Sequence, residues 1–156
     1  MIKNIFYYEN EIGVIRIADN GTAITELYFD DNTKPTNIGL KETELIKEAL
    51  RQLSEYFAGH RKSFSLPAEP IGTPFQMKVW SALQQIPYGE TRSYKEIAQA
   101  IGQEKACRAV GMANNKNPIA IIIPCHRVIG SNGKLIGYAG GLNIKERLLD
   151  IESKNK

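Results

Sequence analysis

Cysteine, histidine and tryptophan are scarce in this 156-residue chain, which holds two, two and one of them. Two cysteines, Cys107 and Cys125, cannot build the disulfide framework of a small secreted domain. No uninterrupted apolar run approaches the roughly 20 residues that crossing a bilayer requires. The opening stretch MIKNIFYYENE has neither a sustained apolar core nor a small-residue cleavage site. A reducing, cytoplasmic location without membrane contact is therefore the expectation. Internal repeats and low-complexity tracts are absent too.

What remains is the composition of a globular protein, 42% hydrophobic and 24% charged. The length suits one ordinary domain or two small packed lobes. Charge is divided unevenly. Residues 1–70 carry 8 Lys/Arg against 11 Asp/Glu, a balance of −3, whereas residues 71–156 carry 12 against 6, a balance of +6. A basic second half is the electrostatic pattern of a chain that meets a polyanion there.

The first 30 residues read as β-structure. NIFYYEN, GVIRIAD and AITELYFD are short and rich in Ile, Val, Tyr and Phe, and DNG at 19–21 is a hairpin turn signal. KETELIKEALRQLSEYFAG follows at helical period, with Leu45, Ala49 and Leu53 in register, Ile46, Leu50 and Phe57 beside them, and Gly59 as the stop. The proline- and glycine-containing segment SLPAEPIGT at 65–73 predicts a boundary between a lobe at 1–70 and a second at 71–156.

The second lobe reads mainly as helices. Thr73 to Gln76 and Ser93 to Glu96 fit capping boxes, the first with Pro74 at the opening helical position. The first helix carries Phe75, Val79, Leu83 and Ile86. The second carries Ile97, Ala98 and Ile101 and stops at Gly102. After a tight turn, KACRAVGMANN forms another short helix with Ala106, Ala109, Val110 and Ala113 as a small apolar face. Two short helices joined in this way make a helix-turn-helix candidate. Asn143 and Glu146 suggest a third capping box on a C-terminal helix.

The chemistry concentrates in IPCHRVIG at 123–130, which follows an apolar run at 119–123 that reads as a buried strand. Cys107, beside Ala106, reads as an inert small hydrophobe. Cys125 differs, because His126 and Arg127 place potential positive charge nearby and so favour the reactive thiolate. Burial alone would raise the thiol pKa, so a base or cation must oppose it. Neighbours on an extended strand point to opposite faces. Cys125 and His126 can therefore cooperate only if the chain turns after Pro124 or a water bridges them. A third group, a carboxylate from elsewhere, should orient the histidine. GSNGKLIGYAGG at 130–141 can bring backbone amides close to a flat ligand, since glycine has no Cβ. Two function classes stay open on this reading. One is a DNA-directed thiol enzyme, and the other is a DNA-binding module whose Cys–His pair is structural.

These residues resemble the methylated-DNA–protein-cysteine methyltransferases, the O6-alkylguanine-DNA alkyltransferases. The resemblance is dense from about residue 73 to 152, through PCHRVIG at 124–130, SYKEIA at 93–98, RAVGMA at 108–113, NP at 117–118 and YAGGL at 138–142. It implies a two-lobe α/β (α+β) fold. A ribonuclease-H-like antiparallel sheet with a helix comes first, then a mostly helical, winged-helix-like lobe with the helix-turn-helix. It also implies direct-reversal repair, in which the alkyl group of O6-alkylguanine, with O4-methylthymine as a further candidate substrate, passes irreversibly from a flipped-out base to the protein.

By the same resemblance Cys125 is the alkyl acceptor, His126 activates it through a water, and Glu152 orients His126. Tyr94 helps rotate the nucleotide and donates a proton toward N3, and Arg108 fills the gap left in the stack. Asn117 ties the helix-turn-helix to the active-site turn. Ala106, Ala109, Gly111 and Ala113 let the second helix enter the minor groove of double-stranded DNA with little sequence preference. Val128, Tyr138, Ala139 and Gly140 line the base pocket. No cofactor is implied, and a monomer suffices. Some relatives carry a zinc site in the first lobe, but residues 1–70 here hold no cysteine and one histidine, His60, so no metal is expected. The rivals are a non-catalytic lesion binder, which would lack Cys125, and a Cys–His hydrolase, which would turn over and have no use for Tyr94 and Arg108.

Overall fold

The structure is a computed structural model and describes residues 3–30, 36–133, 138 and 141–156. Three strands, β1 (Asn4–Glu9), β2 (Val14–Asp19) and β3 (Ile24–Phe29), form an antiparallel sheet in the order β1-β2-β3. The DNG signal sits where expected, and Asn20 closes the β2–β3 turn through its backbone bond to Ala23. Ile15, Ile17, Ile24 and Leu27 turn inward and are fully buried.

Helix α1 (Glu44–Phe57) covers the sheet. Thr43 caps it, accepting from the Ile46 amide, and also donates to buried Asp19 at the end of β2 (2.5 Å), which pins the helix start to the sheet. Its buried face is rotated from the face expected. Ile46, Ala49 and Leu53 are inside, joined by Gln52 and Tyr56, while Leu45, Leu50 and Phe57 pack at the margin. Both polar residues are buried with partners. Gln52 exchanges hydrogen bonds with Ser65, and Tyr56 reaches the second lobe. Gly59 ends the helix at φ +80°, and a Cβ there would meet Asn155 at 2.6 Å.

The outer edge of β3 is covered on both sides of the lobe junction. The Ile24 amide donates to Pro67 O, the Leu27 amide to Pro118 O, and the Ala120 amide to Leu27 O. The sheet thus has no bare edge there, and the second lobe is fastened to it by backbone. Helix α2 (Pro74–Leu83) opens on the expected capping box, with both reciprocal bonds of Thr73 and Gln76 formed. Ile86 lies beyond its end. Trp80 donates its indole N–H to Ala113 O (2.9 Å), joining α2 to the later helix that carries Ala113.

Strand β4 (Arg92–Ser93) leads into α3 (Tyr94–Ala100), capped by Ser93 and Glu96 as expected, and α4 (Cys107–Asn115) follows. Strand β5 (Val128–Ile129) pairs in parallel with β4, with Arg92 opposite Val128 and Ser93 opposite Ile129. Helix α5 (Leu142–Asn155) closes the chain. Its start corrects one expectation. Gly141 at φ +99° is the cap and no side chain bonds there, because Asn143 already lies inside the first turn. The two-lobe α/β architecture with a helical second half is as the sequence implies.

Candidate active site

The residues before Cys125 are not a strand. Residues 119–123 fold back on themselves, with the Ile122 amide donating to Ala120 O, the Ile123 amide to Ile119 O, and β-branched Ile121 held at φ +70°. Asn117 organises this turn from inside, since its Nδ2 donates to Ile123 O (2.7 Å) and its Oδ1 accepts from the Ile119 amide (3.0 Å). The chain then enters a 3₁₀ turn, Cys125–Arg127. The turn removes the opposite-face problem of an extended Cys–His pair, because successive side chains now fan out from a tight coil.

All three residues of the turn are buried, Cys125 at 5%, His126 at 0% and Arg127 at 7% exposure. His126 Nε2 donates to Glu152 Oε2 (2.6 Å), so the carboxylate expected from elsewhere is delivered by α5. An ionised carboxylate only accepts, which places the proton on Nε2 and leaves the lone pair of the neutral ring on Nδ1. Nδ1 is buried and makes no hydrogen bond to a protein group. Glu152 is itself 1% exposed. It also accepts from Arg127 Nε (2.8 Å) and Nη2 (3.1 Å), from the Gly89 amide (3.1 Å) and from Tyr56 Oη (2.6 Å). Burial pushes its pKa up, but His126, Arg127 and Tyr56 outweigh it and hold the carboxyl at about 2.

Arg127 therefore serves differently from the role expected of it. It is spent on Glu152 and on Ile86 O (2.7 Å). The cation near the thiol is Lys145 of α5, fully buried, with Nζ donating to Val128 O (2.6 Å). Burial lowers its pKa to about 8, against the pull of Cys125. Burial raises the Cys125 pKa, while Asn117, Lys145 and Tyr138 act to lower it. Burial likewise depresses His126, against the pull of Glu152. At rest the pair is a neutral thiol beside a neutral imidazole.

Beside Cys125 lies a cavity of about 280 Å³, lined by Tyr28, Phe29, Asn114, Asn117, Ala120 and Tyr138, among others. Tyr138 lines it as expected, whereas Val128 is fully buried and is not among the residues that line it. Ala139 and Gly140, the other expected lining residues, lie outside the described residues, as does half of the glycine-rich stretch at 130–141. Tyr94 is the first residue of α3, directly after the strand that pairs with β5, so the β4–β5 ladder sets it beside the active-site turn. Its ring lies against Gly111 of α4, 3.8 Å from where a Cβ would stand. Burial and nearby Cys125 raise its phenol pKa.

On α4, Arg108 and Ala109 are exposed and Gly111 is half-buried, as is Ala106 just before the helix. Ala113, expected on the same outer face, is 3% exposed and belongs to the core, because its position on the helix turns it toward Trp80. Cys107 is half-exposed at the helix start rather than buried. Among the described residues no group of three or more His, Cys, Asp or Glu is placed to hold a metal ion.

Two family models match the chain. One, described as 6-O-methylguanine DNA methyltransferase, DNA binding domain, covers residues 74–154, and the other, its ribonuclease-like domain, covers residues 5–70. The chain belongs to the methylated-DNA–protein-cysteine methyltransferase family. It is similar to the Methanosarcina barkeri protein of that name, 55% identical over 94% of this chain and 95% of the relative. The constitutive Bacillus subtilis methyltransferase is 52% identical, covering 92% of both chains. A solved structure of Mycobacterium tuberculosis OGT in complex with DNA superposes with a TM-score of 0.87 at 45% identity, covering 97% of this chain and 94% of that one.

Within this methyltransferase fold, sequence reasoning missed three buried polar residues. Tyr56 and Lys145 were invisible because nothing local marks a helical tyrosine or lysine as buried. Asn114, whose Nδ2 donates to Cys125 O (3.3 Å), sits in a polar ANNKN run that reads as solvated surface.

Proposed function

We propose that this chain repairs alkylated DNA by direct reversal, moving the alkyl group of O6-alkylguanine onto Cys125. It is a methylated-DNA–protein-cysteine methyltransferase by activity, and it binds DNA. The observation that carries the assignment to Cys125 is the buried Cys125–His126–Glu152 arrangement beside a cavity. A water between His126 Nδ1 and Cys125 Sγ passes the thiol proton to the imidazole. The thiolate then attacks the alkyl carbon in line, so that the S–C bond forms as the C–O6 bond breaks. The electron pair leaves on guanine, and Tyr94 supplies a proton at N3. The product thioether has no ionisable proton and is a poor leaving group, so each molecule acts once.

A stacked guanine does not present its O6 substituent for in-line attack, so the nucleotide must leave the helix, at a cost of about a few kcal/mol. Exposed Arg108 fills the gap it leaves. Ala106, Ala109 and Gly111 keep the approach to a minor groove free of bulk, and the basic residues of the second half meet phosphates with little sequence preference. The DNA-binding and acceptor domain corresponds to residues 71–156 and the α/β lobe to 1–70. The protein works as a monomer in the cytoplasm. No helix among the described residues is long and apolar enough to cross a membrane.

Mass spectrometry after incubation with excess duplex carrying O6-methylguanine tests this reading. One methyl group per chain, on Cys125, is expected, with Cys125→Ser inert yet still able to bind DNA. Repeated turnover, or methyl on Cys107, would overturn it.

A further inference from the structure

The N-terminal lobe enters the relay through one side chain. Tyr56, in the last turn of α1 and fully buried, donates its hydroxyl to Glu152 Oε2 (2.6 Å), the same oxygen that accepts from His126 Nε2. Its Oη lies 3.5 Å from Nε2 itself. The ring is fixed by Phe57, Phe64 and Tyr88, with centroids 5.7, 5.6 and 6.3 Å away. Packing alone would be met equally well by phenylalanine, so the hydroxyl calls for its own explanation.

Glu152 has about four lone-pair sites for its donors. Five N–H or O–H groups converge on it, from Tyr56, His126, the Gly89 amide and two nitrogens of Arg127. Donors to one oxygen compete, because each withdraws charge from it. We propose that Tyr56 is a positioning residue that sets the basicity of His126 by sharing the carboxylate oxygen which holds the imidazole N–H. This rests on the Cys125–His126–Glu152 relay argued above. The other ionisable groups facing the pair are Arg127 on the same turn, Lys145 from α5, Tyr88 from the loop after α2, and Cys125 itself. Lys62 and Arg127 both lie over the Tyr88 ring.

The sign follows from the resting state. With a neutral thiol and a neutral imidazole at rest, transfer runs through the small fraction in which the proton has moved from Sγ to His126. Removing the Tyr56 hydroxyl leaves more charge on Oε2, which stabilises the imidazolium and enlarges that fraction. The same change makes His126 harder to deprotonate from the acid side. The plateau rate and the acid-limb midpoint should therefore rise together, while rates well below the limb, where His126 is protonated in every protein, should coincide.

The experiment is single-turnover methyl transfer at saturating O6-methylguanine duplex, followed by mass spectrometry from about pH 4, below the depressed His126 limb, to about pH 9. Tyr56→Phe is expected to raise the plateau about 3- to 10-fold and to move the acid limb up by about half to one unit. A chain with 3-fluorotyrosine at position 56, which keeps every contact but donates more strongly, should move both quantities the other way. It also decides the matter if the phenylalanine variant folds poorly. Superimposable profiles, or a lower plateau at an unmoved midpoint in Tyr56→Phe, would reduce Tyr56 to packing and overturn the proposal. His126→Gln separates the two readings. If it transfers as fast as the unmodified protein, the relay fails and the proposal falls with it. If it is slow and the Tyr56 variants are unmoved, only the proposal fails.

Discussion

Glu152→Gln isolates what the buried carboxylate does. Gln keeps the shape and some hydrogen-bonding capacity but removes the charge at the meeting point of His126, Arg127, Tyr56 and Gly89. Arg127 carries a guanidinium charge and is almost wholly buried, so the substitution leaves a buried charge uncompensated. Breaking such a pair from one side costs about 3–5 kcal/mol. The carboxyl pKa gives an independent figure. It falls from an ordinary 4.5 to about 2 on folding, and a drop of that size corresponds to about 3 kcal/mol. Because the folded pKa is depressed, this stability is present above pH 4.5 and is lost as pH falls toward 2. The two routes agree. For a chain of this length each kcal/mol shifts the melting temperature by about 2–4 °C, so at neutral pH Glu152→Gln should melt about 6–20 °C lower. Methyl transfer at neutral pH should slow as well. Thermal unfolding at pH 7 and at pH 3 tests the reasoning, since the gap between the two proteins should narrow at the lower pH. Removing Arg127 too, in Arg127→Leu with Glu152→Gln, should recover much of the loss. A single variant that melts within about 1 °C of the unmodified protein would refute the account.

Arg108→Ala should slow repair of duplex DNA more than transfer from free O6-benzylguanine, which needs no extrusion. Equal loss on both substrates, measured by single-turnover kinetics, would make Arg108 a fold residue, although its exposure on α4 argues otherwise. DNA affinity should fall steeply with salt, with a log–log slope near −0.9 per phosphate neutralised, and vary little with sequence. A flat response in a salt titration would remove the basic half as the DNA face.

Elements with strong local signals were legible from the sequence. The strands β1–β3, the capping boxes of α2 and α3, and the stops at Gly59 and Gly102 all follow from local backbone chemistry, and the structure has each of them. The misread elements depend on distant partners. The run at 119–123 is as apolar as any strand, yet Asn117 and the edge of β3 take up its backbone groups and coil it. Asn143 has the spacing of a cap, but Gly141 reaches the required φ first. Ala113 shares composition with its groove-side neighbours, and only the position of Trp80 tells which side it takes. At the site, Cys125 and His126 were legible from the motif, and Glu152 from the resemblance alone. Tyr56 lies 96 residues from Glu152 and Lys145 lies 17 from Val128, separations across which periodicity carries no information.

The placement of charge explains why so buried a thiol can react at all. Burial raises Cys125 and depresses His126, so each alone resists ionisation. Moving one proton between them creates an anion at Sγ and a cation on the ring. Lys145 already stands on the Cys125 side, and Glu152 already bonds the His126 ring. Both are held by fixed partners, Lys145 by Val128 O and Glu152 by Arg127, Gly89 and Tyr56. The incipient ion pair therefore forms inside a field of matching sign that needs no reorganisation. In a dry site that is worth far more than in water. The same arrangement protects a nucleophile that can be used only once. Until the proton moves, Cys125 is a neutral, buried thiol, and a neutral thiol is a poor target for stray electrophiles. Had Arg127 turned to the sulfur instead, it would favour the thiolate at rest, and Glu152 would lose one of the three partners, with His126 and Tyr56, that keep it ionised.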